Sequence, residues 1–351
     1  MIRIRSQAWV RNCSLALCLA ATACLSPRAN RDMASLGPLV SASKVYESAN
    51  MFGVAWSESE TLFVVDSGTE PGTSVVAVPA LGGNPETVRL PQLRGCRLTD
   101  YLHPTRLPDG VAFYQSCLPL TEDSPRALVR YDEVAHSISP LTKGIFPFNP
   151  NQFAFHPSME QGVFSSSSGI CSGIGWIEDG SVAFRNITIP VDGEPYRLDE
   201  FLRDQSNCSG IGASWPTWSP DGETVAFLAS PEAIGVRGRD RLDQPWNIYL
   251  MAADGTGPRP VLQGVGRPSG LLWSPDGQSL AFSGTLNGGE PGVWILDLET
   301  RSVRKIARNL VQDLTWNPSA TSLAVVYRPS ESLSSGQTEL WVLDTGSRKQ
   351  Q

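Results

Sequence analysis

Apolar residues along this chain come in short, nearly continuous runs, and the clearest runs follow a turn. Residues 224–228 (TVAFL) follow Ser-Pro-Asp-Gly at 219–222, and residues 279–282 (SLAF) follow the same four residues at 274–277. In that turn proline fixes φ, aspartate tolerates the bridge region, and glycine supplies the positive φ from which an antiparallel strand resumes pairing. Runs this continuous belong to strands covered on both faces. Residues 248–251 (IYLM) and 293–297 (VWILD) read as third strands, followed by fourth strands at 261–262 and 305–307. Four short antiparallel strands thus make one unit, and the unit is repeated.

Weaker copies follow the same template. Trp316-Asn317-Pro318-Ser319 precedes 323–327 and 340–344, Trp56-Ser57 precedes 62–65 and 75–78, and Leu107-Pro108-Asp109-Gly110 precedes 111–114 and 128–131. Phe155-His156-Pro157 precedes 162–165. Taking 56, 106, 155, 218, 273 and 316 as equivalent positions gives spacings of 50, 49, 63, 55 and 43. A compact propeller blade needs ~40–45 residues, so the excess is loop.

The turn Trp-Ser-Pro-Asp-Gly, the Leu-Ala-Phe strand and the Ile-Trp-x-x-Asp type of third strand resemble the TolB-like, WD-repeat-like β-propeller family, over about residues 45–344. The resemblance implies an all-β, six-bladed propeller of four-stranded antiparallel blades. It is strongest in blades four and five and weakest in blade three, where His156 stands in place of the serine. The propeller is expected over 38–345, with a tail at 346–351. The sixth blade offers three strands, so residues 39–42 are expected to supply its outer strand and close the ring.

The N-terminal residues read as an address. Arg3, Arg5 and Arg11 precede an apolar stretch at 13–23 that ends in Ala21-Thr22-Ala23. This is a signal peptide over 1–23, too short for a spanning helix, which needs ~20 apolar residues. Ala21-Thr22-Ala23-Cys24 resembles a bacterial lipoprotein box and makes Cys24 the lipidation site, although Ala-Thr-Ala also suits ordinary cleavage. Residues 24–37 then form a tether. Export, to the periplasm or cell surface with a lipid anchor in the outer membrane, is the expectation.

Charge and cysteine usage agree with it. The formal net charge is −7, and removing the three arginines leaves 25 basic against 35 acidic residues, or −10. An acidic surface argues against nucleic acid as a partner. Besides Cys24, the mature chain has Cys96, Cys117, Cys171 and Cys208. In an oxidising compartment they suggest two disulfides with three possible connectivities. In an antiparallel blade the loop between second and third strands shares an end with the lead-in to the first strand, because the chain reverses at each turn. All four cysteines map to that end, favouring Cys96–Cys117 and Cys171–Cys208. Zinc fits poorly, because no Cys-x-x-Cys pair is present.

The sequence assigns no catalytic, cofactor-binding or metal-ligating residue. His103, His136 and His156 lie in no Gly-x-Ser-x-Gly or His-Glu-x-x-His context. His156 takes the turn-opening place of Ser219, and His103 reads as a loop residue able to line the central channel. Asp109, Asp221 and Asp276 serve their turns. Trp56, Trp218, Trp273, Trp316, Trp294 and Trp341 recur by position and read as packing between blades.

The insertions are the functional lead. Residues 230–245 carry Arg237, Arg239 and Arg241, and 186–214 holds a segment, 198–204, able to make a helical turn or two. Loops presented together on a rigid scaffold recognise partners. The favoured function is a non-catalytic, monomeric envelope lipoprotein whose propeller binds another protein through this face. The alternative is a secreted propeller lyase or hydrolase acting on a sugar or lactone at the channel mouth.

Overall fold

The computed structural model describes residues 36–67, 72–93, 95–118, 124–168, 171–204, 212–233, 244–329 and 337–346. All lie in one compact unit, Met33–Gln351. The signal segment, Cys24, Cys208 and the arginines 237, 239 and 241 lie outside the described residues.

The fold is a β-propeller built almost wholly of antiparallel strands. β1 (Ala42–Ser48) precedes a first sheet of β2 (Met51–Trp56), β3 (Thr61–Asp66), β4 (Ser74–Pro79) and β5 (Glu86–Val88), paired in chain order. The second sheet is β6 (Leu98–Leu107), β7 (Gly110–Leu118), β8 (Arg126–Asp132) and β9 (Ser137–Pro140). The third, weakest in sequence, is nevertheless complete: β10 (Pro150–Phe155), β11 (Gln161–Ser168), β12 (Cys171–Glu178) and β13 (Ser181–Ala183). The insertion that follows contains a hairpin, β14 (Thr188–Val191) with β15 (Glu194–Arg197), and a single helical turn, α1 (Glu200–Arg203). The turn falls inside the segment expected to be helical, whereas the hairpin is unannounced in the sequence.

A seven-stranded sheet comes next, from β16 (Gly212–Trp218), β17 (Thr224–Ser230) and β18 (Trp246–Ala252) through β19 (Arg259–Trp273) to β20 (Ser279–Leu286), β21 (Pro291–Asp297) and β22 (Val303–Ala307). β19 is long because it does two jobs. Residues 259–265 pair with β18, and residues 265–273 pair with β20. The last sheet is β23 (Asp313–Trp316), β24 (Ser322–Tyr327) and β25 (Thr338–Asp344), with β1 on its outer edge.

The strand beside β25 is thus Ala42–Ser48, registered from Ala42↔Leu343 to Ser48↔Thr338, rather than residues 39–42. Those earlier residues turn elsewhere. Gly37 at φ +59° bends the chain so that Pro38 bridges to Ala307 and the Leu39 N–H donates to the Ile306 carbonyl at 2.8 Å. Val45 and Tyr46, later in the chain than the residues expected to close the ring, are the side chains that pack on the core between the first and last sheets.

Continuous apolar runs are explained by the packing. Along β17, Val225, Phe227 and Ala229 face a core shared with the third sheet, while Ala226 and Leu228 face one shared with β20 and β21. Similar cores join first to second sheet through Phe63 and Phe113, second to third through Tyr114 and Phe164, and β21 to β24 through Ile295 and Val325. A further core joins Val54 and Val64 of the first sheet to Ala324 and Val326 of the last.

The turn motif has one geometric rule. Four residues beyond each tryptophan-equivalent position φ is positive: Glu60 (59°), Gly110 (152°), Met159 (64°), Gly222 (74°), Gly277 (72°) and Ala320 (57°). Within the turn Ser274 Oγ donates to Asp276 Oδ1 at 2.5 Å and accepts from the Ser279 N–H at 2.9 Å. His156 also bonds backbone, but nearer in the chain, its Nδ1 accepting the Ser158 N–H 3.0 Å away.

Candidate functional site

Innermost strands of a propeller line its axis, and here nearly all of them are bulged. Register shifts interrupt β2 at Met51/Gly53, β6 at Leu102/Thr105, β10 at Pro150/Gln152, β16 at Ser214/Thr217 and β19 at Gly266/Gly270. In three of them a positive-φ residue stands immediately before proline: His103 (51°), Trp215 (51°) and Arg267 (48°). A bulge leaves a residue without a ladder partner and re-aims side chains. Proline after it removes a donor that would otherwise go unpaired.

His103 therefore sits in a strand bulge, not in a loop. It is half-buried, and loss of hydration pulls its imidazole down to about 4, so the ring is neutral near pH 7. The following Pro104 closes on the first sheet: a Cβ on Gly53 would lie 2.6 Å from Pro104 Cδ. The same imagined atom would lie 3.7 Å from Asp313 Oδ2, so β6 and β23 flank Gly53 from two sides.

Among the described residues Asp313 carries a strongly perturbed carboxyl. Burial pushes it up to about 7, against the opposing effect of two backbone donors. Val54 N–H donates to Oδ2 at 2.9 Å and Leu314 N–H to Oδ1 at 2.9 Å. Both oxygens are thus engaged by backbone, which fits a seam between sheets better than a proton-transfer group. Thr315 and Thr338 extend the seam by accepting the N–H groups of Trp56 at 3.2 Å and Met51 at 2.7 Å. Among the described residues no three His, Cys, Asp or Glu side chains are grouped to hold a metal ion.

The loop-bearing end has its own order. Cys96, in the lead-in to β6, is joined to Cys117 near the end of β7, with Cα atoms 5.3 Å apart. Cys171 is also disulfide-bonded, and Cys208, the partner expected for it, lies outside the described residues. Around the same end Asn151 Nδ2 donates to Ser167 Oγ at 2.5 Å, Tyr114 OH donates to Asn149 Oδ1 at 2.7 Å, and Arg328 donates to Asn50 Oδ1. Half-buried Trp215 and Trp246 meet edge to face, 6.3 Å between centroids.

The sequence matches no protein-family model. It is 36% identical over 78 residues to the uncharacterized peptidase YuxL of Bacillus subtilis, which is 21% of this chain and 10% of that protein. The chain therefore spans about a tenth of that curated relative. Among solved structures it is similar to a gluconolactonase from Xanthomonas campestris, with a TM-score of 0.51, 13% identity and coverage of 88% of this chain and 91% of that one. The likeness is one of fold. TolB from Acinetobacter baumannii aligns with a TM-score of 0.49 and 15% identity over 78% of this chain and 60% of its own.

Sequence reasoning missed Asp313, Trp215, Trp246 and Arg267. Two of these had a visible signal, because X-Pro within an apolar run marks a strand irregularity. Trp215 and Arg267 carry it directly, as does His103, whereas Asp313 is distinguished only by the partner it meets across the fold.

Proposed function

We propose that this protein is an exported, six-bladed propeller that binds another protein at the cell envelope through its loop-bearing end. The seven-stranded sheet counts as two blades divided within β19, and β1 closes the last blade. The observation that carries the reading is the Cys96–Cys117 bridge, which ties a lead-in loop to the exit of a second strand at the end where the longest insertions gather. A disulfide also suits an oxidising compartment, in keeping with a signal peptide at 1–23 and a lipid anchor on Cys24. Held loop ends present a recognition surface at lower ordering cost.

An enzyme acting on a sugar or lactone is the second reading, and a gluconolactonase shares the fold. The observation in its favour is that Asp313 and Pro104, the residue after His103, both flank Gly53, and that Asp313 and His103 both have strongly shifted proton affinity. Hydrogen bonds from backbone to both Asp313 oxygens weigh against it.

The test is cross-linking in the native envelope, followed by affinity purification before and after reduction of the disulfides. A discrete protein partner that is lost on reduction supports the binding reading. A purified protein that turns over a lactone or uronic-acid sugar, with loss of turnover in Asp313→Asn, would replace it.

A further inference from the structure

We propose that the outer rim formed by β22 and the start of β19 is a contact surface for an anionic phospholipid bilayer; this rests on the reading of an envelope protein tethered at Cys24. Residues 301–308 (RSVRKIAR) contain four basic and no acidic side chains in a chain of net charge −7. Arg301, Arg304 and Arg308 are exposed, as is Arg259 at the start of β19. Asp254, Asp297 and Glu299 lie on the adjoining turns, so the positive field is concentrated along β22 and does not spread over the whole rim.

Two features single out this rim. A cleft of about 100 Å³ lies between the strands, floored by Leu250, Val261, Leu296 and Leu298 and flanked by Arg259 and Arg301. An apolar floor between two guanidinium groups suits a phosphate headgroup with the first methylenes of its chains beneath it, because arginine binds phosphate by paired donors. The second feature is the path of the chain. Leu36 is fully buried against Ile306 and Ala307, and Pro38 and Leu39 pair with the same edge. The chain toward Cys24 therefore departs from this rim, and 12 residue steps from Cys24 to Leu36 reach at most roughly 40 Å. A lipid on Cys24 would confine β22 to within that reach of the membrane surface, and basic residues that come within a Debye length of it are drawn to anionic lipid.

Positive charge on an edge strand also discourages pairing with other sheets. That explains Arg304 and Lys305. It does not explain Arg259 and Arg301, which are away from the open edge of β22 and border the cleft.

The test uses full-length protein exported with Cys24→Ser, which removes the acyl anchor, in sedimentation with phosphatidylcholine vesicles with and without phosphatidylglycerol. Binding should require phosphatidylglycerol and fall as salt rises. Arg259→Glu/Arg301→Glu/Arg308→Glu should lower partitioning by about tenfold or more at an unchanged melting temperature, and the three-glutamine version should fall between. Arg267→Glu, on another strand bulge, should bind as the parent does. Equal partitioning of parent and triple variants, no preference for phosphatidylglycerol, or loss in Arg267→Glu instead would overturn the proposal. Mass analysis of the native N-terminus tests the anchor separately, so an unlipidated Cys24 refutes the tether without deciding the vesicle result.

Discussion

Asp313 Oδ2 accepts the backbone N–H of Val54 at 2.9 Å, joining residues 259 positions apart. The bond lies where the innermost strand of the last sheet meets that of the first. Replacing the carboxylate by a methyl group leaves a buried donor unpaired, which costs about 1–3 kcal/mol. Asp313→Ala should therefore lower the melting temperature by several degrees, whereas a variant such as Asp132→Ala, on an outer turn, should lower it less. Equal melts would show that the seam does not depend on this bond.

The same carboxyl gives a pH signature. Its affinity for protons is raised on folding, from an ordinary 3.8 to about 7, because burial disfavours the charge. Its contribution is fully present below 3.8 and is lost as pH climbs through about 7. Between pH about 4 and about 7 wild type should lose stability relative to Asp313→Asn, which stays neutral throughout. Denaturant midpoints for both proteins across this window check it; parallel curves would mean that Asp313 titrates normally.

His156 crowds Gly222. A Cβ there would lie 2.1 Å from His156 Nε2, and φ is +74° besides. Gly277→Ala carries only the backbone penalty, since its nearest neighbour, Pro220, would be 3.6 Å away. Gly222→Ala should be the more destabilising of the two, by about 1 kcal/mol or more, and His156→Ala should remove that excess. Ala320, non-glycine at φ +57°, predicts the reverse: Ala320→Gly should stabilise by up to ~1 kcal/mol.

Leu36 is fully buried between β22 and the last sheet. Leu36→Ala should cost ~2–5 kcal/mol, and deletion of residues 37–44 should lower the melting temperature further by uncovering two sheet edges. Thermal denaturation of both variants checks this; wild-type melts would mean that the N-terminal strand is dispensable.

These relationships show what could be read from the chain. The turn motif with its apolar runs was enough to place four-stranded units, because a strand with cores on both faces writes a continuous run and a positive-φ turn writes glycine. Closure was legible only as an arithmetical need for one strand. Its register depends on Val45 and Tyr46 meeting Ala324 and Leu340, contacts between chain ends that no local pattern encodes. Candidate site residues divide the same way. His103, Trp215 and Arg267 announce themselves by the proline that follows, but the perturbation of Asp313 arises from Val54 and from burial, both set by the assembled sheets.

The central claim is recognition of a protein through the loop-bearing end, and the affinity of the captured partner for Arg237→Glu/Arg239→Glu/Arg241→Glu tests it most directly. These arginines belong to the insertion between β17 and β18, and reversal of their charge should weaken binding by about tenfold or more without moving the melting temperature. Trp273→Ala should instead damage folding first. Wild-type affinity in the triple variant would contradict the account.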